Sequence, residues 1–159
     1  MRNYWIIGCA VLIAGSLALA QGTPAPQKPV KSESERTVKE SEVPKAALEA
    51  LRRHANNATF TEFAEEVEHG HTFYEGSYRE ASGHVDVLVT DTGDLVEIEE
   101  AIPGDKAPAA VQAEALKAAG KDARLRFEKK TMVLYEVHFK QEGEGHEIIL
   151  TPDGRPVHE

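Results

Sequence analysis

Val133-Leu134-Tyr135-Glu136-Val137-His138-Phe139-Lys140 places apolar side chains at every second position, with mostly polar ones between them. That alternation predicts a strand with one face toward a core and one toward water. A Gly-rich break follows, then His146-Glu147-Ile148-Ile149-Leu150-Thr151 and the turn Pro152-Asp153-Gly154. The same order of strand, break, strand and turn occurs earlier, in Phe73 to Tyr78, Val85 to Thr90 and Asp91-Thr92-Gly93-Asp94. Tyr74 and Tyr135, like Gly93 and Gly154, lie 61 positions apart, and this spacing predicts a duplicated unit.

Upstream of each strand pair the sequence predicts a helix. Val43-Pro44 to His54 has Val43, Ala47, Leu48 and Leu51 on one side and Pro at a first-turn position. Its counterpart is Pro108 to Ala119, stopped by Gly120. The offset is 64 from Pro44 to Pro108 and 65 from Phe60 to Leu125, which implies one extra residue in the second helix. The fall to 61 then predicts a longer opening hairpin in the first unit, with its exposed tip at Glu65 to His71, and a tight turn at Glu128 to Thr131 in the second. The expected fold class is therefore α+β: two tandem repeats, residues 43–102 and 103–159, each a helix packed on a three- to four-stranded antiparallel sheet, forming one two-layer body. A unit of roughly 55–60 residues buries a marginal core alone, so the pair is expected to pack together.

The first 42 residues read differently. Arg2, an apolar run from Trp5 and the small-x-small sequence Ala18-Leu19-Ala20 predict a signal peptide over residues 1–20. A retained anchor and lipid attachment at Cys9 are the rival readings, the latter because Ile6-Ile7-Gly8-Cys9 resembles a lipobox. Residues 21–42 are Pro, Lys, Ser and Glu with little to bury, and predict a disordered linker. Cys9 is the single cysteine, so a chain cleaved after Ala20 has no disulfide, thiolate nucleophile or cysteine metal site. Such a chain keeps 17 basic and 27 acidic residues, a net −10, which argues against nucleic acid and anionic membrane partners. A periplasmic or secreted location is expected, with no membrane contact after cleavage.

The apolar-Pro helix start, the aromatic-Tyr-Glu strand and the Asp-Gly turn together resemble the PepSY-like domains of exported bacterial proteins, and the tandem form grouped with the β-lactamase-inhibitory protein in particular. Val43-Pro44, Phe73-Tyr74-Glu75 and Asp91-Thr92-Gly93 carry the likeness in the first unit, and Ala107-Pro108, Leu134-Tyr135-Glu136 and Asp153-Gly154 in the second. The resemblance implies a non-enzymatic domain that binds or restrains an exported protease or other hydrolase through its sheet. It carries over no individual functional residue.

Among candidate sites, Tyr74, Tyr78, Tyr135, Val137 and Phe139 share the core-facing phase and are expected to pack against the helices. The opposite faces carry Phe73, Glu75 and Arg79 in one unit and Leu134, Glu136, His138 and Lys140 in the other, and are the expected partner-binding surface. His69-Gly70-His71, with Glu66 and Glu68 beside it, is the candidate metal cluster for an alternative reading as a small-ligand or metal-binding sensor. The Asp-Gly turns lack the ligand spacing of a calcium loop, and no nucleophile motif or phosphate loop is present in the sequence. A monomer without enzyme activity or cofactor is expected.

Overall fold

The structure is a computed structural model that describes residues 34–120 and 122–157. The expected signal peptide and the linker as far as residue 33 lie outside the described residues. The strands are β1 (Ser34–Val38), β2 (Glu62–Glu68), β3 (His71–Arg79), β4 (His84–Thr90), β5 (Leu95–Ile102), β6 (Phe127–Met132), β7 (Tyr135–Gln141) and β8 (Glu144–Leu150). Helix α1 (Lys45–His54) precedes β2, and helix α2 (Ala109–Ala119) lies between β5 and β6.

The first half forms as a helix on a sheet. Pro44 caps α1, whose Ala47, Ala50 and Leu51 are fully buried against Tyr74, Tyr78, Val85, Val87 and Val89. Small side chains on the helix let it approach the strands closely, and each fully buried Val or Leu contributes roughly 1.5–3 kcal/mol. Gly93, in the turn after β4, shows how tight the seat is: a Cβ there would lie 2.7 Å from the Ala46 carbonyl oxygen and 3.3 Å from the Ala50 Cβ. Gly76 faces the ring of Phe60, at 2.6 Å from where its Cβ would be, so its missing side chain admits an aromatic ring.

Two tandem helix-on-sheet repeats do not form. The chain builds one six-stranded antiparallel sheet in the order β1-β2-β3-β4-β5-β6, and a separate two-stranded ribbon, β7-β8. Strand β6 joins the first sheet through β5, from Ile102 opposite Phe127 to Glu97 opposite Met132. No residue of α2 is buried, and α2 covers no sheet as α1 does.

The cause lies in two turns that behave opposite to expectation. Glu65 to Glu68 belong to β2, and the first hairpin closes in two residues, His69 and Gly70, with φ of 51° and 86°. That pair of left-handed residues makes the tight hairpin turn that matches strand twist. Conversely, Glu128 to Thr131 do not turn at all. Lys129 reaches Glu100 at 2.8 Å, and Lys130 reaches Glu97 at 3.0 Å and Glu99 at 2.6 Å, so the segment runs extended along β5. The chain leaves that sheet at Val133-Leu134 and enters the ribbon.

The expected linker is also shorter at its C-terminal side. Ser34–Val38 pairs with β2, Val38 is buried, and Arg36 donates to both Glu65 carboxylate oxygens at 2.9 and 2.8 Å. Charges that balance within the segment, and so suggested a solvated tether, instead find a partner 29 positions away.

Candidate functional site

The alternation of the strands puts Glu66, Phe73, Glu75, Ser77, Asp86, Leu88, Glu97 and Glu99 on the sheet face opposite α1. This face is only partly open. Phe73 is 1% exposed and packs with Leu88 and Val96, while the Arg155 guanidinium lies 5.9 Å from its ring centroid. Val96 reaches this cluster because a bulge between Leu88 and Val89 shifts the register of β5. Phe73 is thus a core residue under the second half of the chain and not the exposed contact that the alternation suggested.

Around it sits a row of half-buried carboxyls. Burial, the nearby Asp86 charge and the Glu66 carboxyl push Glu75 up to about 9, and burial pushes Glu66 up to about 7. The two carboxyls act on each other, and Ser77 Oγ donates to Glu75 at 3.2 Å. Burial also raises Asp86, whose Oδ1 lies 2.9 Å from His84 Nε2. Glu97 is raised by burial and by its neighbour Glu99. Lys130 answers this end of the row: burial alone would lower it, but hydrogen bonds to Glu99 and Glu97 hold it above its ordinary value. At neutral pH Glu75 therefore keeps its proton beside Glu66, in a poorly solvated place. Sequence alternation exposes which face these residues share, but not that the face is covered.

The candidate metal histidines sit at the β2–β3 turn and are engaged by the second half. Arg155 Nη1 lies 2.8 Å from His69 Nδ1, and His71 Nδ1 lies 3.5 Å from Asp153 Oδ2. Asp153 is nearly buried; burial alone would raise it, yet donors on Thr151 and Arg155 hold it below the ordinary carboxylate range. His69 and His71 thus join two parts of the chain. Among the described residues, the one set of three metal-ligating groups that converges is Glu136, His138 and Glu147, whose ligand atoms lie within 4.8 Å of one another on the ribbon's polar face.

The remaining expected contact residues stand on two different sheets. Arg79 is exposed at the end of β3, while Leu134, Glu136, His138 and Lys140 are exposed at the start of the ribbon and along it. The larger departure is on the ribbon's other face. Tyr135, Val137 and Phe139 were expected in the core, and they are exposed by 51%, 42% and 43%. All nine large apolar residues that are exposed among the described residues follow Ile102, and they include Val111 and Leu116 of α2 and Ile148 of β8. Large exposed apolar patches mark interaction surfaces.

The scan against protein-family models finds no match, and no curated protein matches the chain. Among solved structures, a putative calcium-regulated periplasmic protein from Bacteroides thetaiotaomicron is similar at 14% identity, covering 78% of this chain and 94% of that one, with a TM-score of 0.35. Among the described residues no helix is long and apolar enough to cross a membrane.

Proposed function

We propose that the chain is a non-enzymatic binding module of an exported compartment, and that it seats an amphipathic helix of a protein partner on the apolar face of the β7-β8 ribbon. One observation carries the reading. In β3-β4, Tyr74 pairs with Val89 and Gly76 with Val87; in the ribbon, Tyr135 pairs with Leu150 and Val137 with Ile148, each 61 positions on. The β3-β4 hairpin is covered by α1, leaving Tyr74 at 8% exposure, against 51% for Tyr135. The first half therefore indicates what such a face accepts: a helix with small and medium apolar side chains along one stripe.

The test is fluorescence anisotropy with a labelled peptide spanning residues 43–58, titrated with the chain. Saturable binding that is lost on Tyr135→Asp and retained on Glu136→Gln supports the seat. Equal saturable binding by the parent and Tyr135→Asp refutes it. Restraint of an exported hydrolase by occlusion is the finer form of this reading, and requires that the partner's turnover fall when the ribbon is occupied.

A second reading, divalent-ion binding, has the convergence of Glu136, His138 and Glu147 in its favour. One imidazole and two carboxylates suit zinc better than calcium. Titration calorimetry with zinc chloride tests it, and heats unchanged by His138→Ala refute it.

A further inference from the structure

We infer that the helix seated on the ribbon is α2 of a second copy of this chain, exchanged reciprocally in a two-fold dimer. The inference rests on the reading above that the ribbon's apolar face takes a helix, and it names that helix.

The first argument is complementarity by position. Ala47, Ala50 and Leu51 are the buried stripe of α1. With the one-residue insertion in the second helix, their counterparts are Val111, Ala115 and Leu116, and α2 leaves Val111 and Leu116 exposed by 49% and 42%. Helix α2 thus carries an apolar side of Val111, Ala115 and Leu116, spaced i, i+4, i+5 where α1 spaces its stripe i, i+3, i+4, and its Val111 and Leu116 are exposed like the ribbon face. The turns agree with this: Gly93 is pressed against α1, whereas Gly154, 61 positions later and also left-handed at φ 83°, has nothing within 4 Å of a built Cβ.

The second argument is the connection. In the first half a two-residue turn folds β2 back beside β3, under the helix that precedes them. In the second half the corresponding turn is straightened into β6, so the ribbon leaves from the far end of a strand bound to β5. A turn opened into a strand is the hinge geometry by which identical chains exchange elements at low cost. It draws α2 and the ribbon apart within one copy and leaves each free for another.

The third is size. Six residues are involved, Val111, Leu116, Tyr135, Val137, Phe139 and Ile148, each about half uncovered. At roughly 150–250 Å² for an aromatic side chain, with the four aliphatic ones taken at the lower end, they offer on the order of 500 Å² per copy. A reciprocal pair then buries on the order of 1,000 Å², where specific interfaces begin. Exchange gives each copy two such seats, and the expected monomer is replaced by a dimer.

The experiment is a cysteine trap in the exported chain carrying Cys9→Ser, combined with its mass by light scattering. The Ala50–Gly93 approach of 3.3 Å in the first half fixes Ala115 and Gly154 as the equivalent pair, a separation that a disulfide can span. The parent is expected at twice the chain mass. Ala115→Cys chains refolded with Gly154→Cys chains are expected to yield a cross-linked species containing one of each. Because a side chain at Gly154 is strained, a second variant is included: Lys129→Asn with Lys130→Gly installs a tight turn in β6 and is expected to convert the dimer to a monomer. A parent with the mass of one chain, a dimer whose mixed variants never cross-link, or a turn variant that stays dimeric overturns the exchange. A monomer that still binds the helical peptide overturns the exchange alone; a chain that binds neither peptide nor itself overturns the seat as well.

Discussion

Glu75→Gln is expected to stabilise the protein at neutral and alkaline pH and to leave it unchanged near pH 4. The Glu75 carboxyl is held up to about 9 by burial and by the acids around it, against an ordinary value of 4.5. Between those values the folded state binds a proton that the unfolded chain has released, so stability falls as pH rises through the window. It is fully present below pH 4.5 and is lost toward pH 9. At 1.36 kcal/mol per pH unit, the loss attributable to this group at pH 7 is on the order of 3 kcal/mol. A glutamine has nearly the same shape, still accepts from Ser77, and has no proton to lose. Urea unfolding of parent and variant at pH 4, 5.5, 7 and 8.5 measures the difference, and with a slope of about 1–3 kcal/mol per molar the midpoint should rise by about 1–3 M at pH 7. If both proteins show the same pH slope from 5.5 to 8.5, the buried-carboxyl reasoning is refuted.

Leu51→Ala removes a side chain with no exposure at the centre of the first core, and should lower stability by roughly 2–5 kcal/mol in calorimetry. Gly93→Ala must both adopt φ 89° and collide with the Ala46 carbonyl, so it should cost clearly more than the roughly 1 kcal/mol of the backbone alone; chemical denaturation checks this. Arg155→Ala releases His69 and uncovers Phe73, and should speed amide exchange at residues 69 to 73 while leaving α1 protected.

Both helices and the strands β3, β4, β7 and β8 were legible in the sequence, because Pro44, Pro108 and Gly120 mark helix ends and apolar side chains alternate through Val85–Val89 and Val133–Phe139. What was not legible depends on partners far away in the chain. Lys129 and Lys130 fit a charged turn equally well until Glu97, Glu99 and Glu100 are known to lie beside them. Arg36 looked like one charge in a neutral spacer until Glu65 was placed opposite. Phe73 was assigned to the right face, but it is buried with Leu88 and the bulged Val96, and Arg155, 82 positions downstream, lies over its ring. The ribbon's Tyr135, Val137 and Phe139 carry a core pattern that one copy of the chain does not cover, and no rule of periodicity distinguishes a covered face from an uncovered one.

Strand β6 is held by its backbone ladder with β5, to which the exposed Lys129–Glu100 pair and the half-buried contacts of Lys130 with Glu97 and Glu99 add, with Phe127 its only partly buried side chain. Such a seam responds to the medium. Surface ion pairs weaken as the screening length shrinks from about 10 Å at 0.1 M salt to about 3 Å at 1 M, whereas burial of apolar groups does not weaken in this way. Rising salinity should therefore weaken the Lys129–Glu100 pair at this strand while leaving the α1 core intact, so the surrounding electrolyte acts on the edge of the sheet and not on its centre.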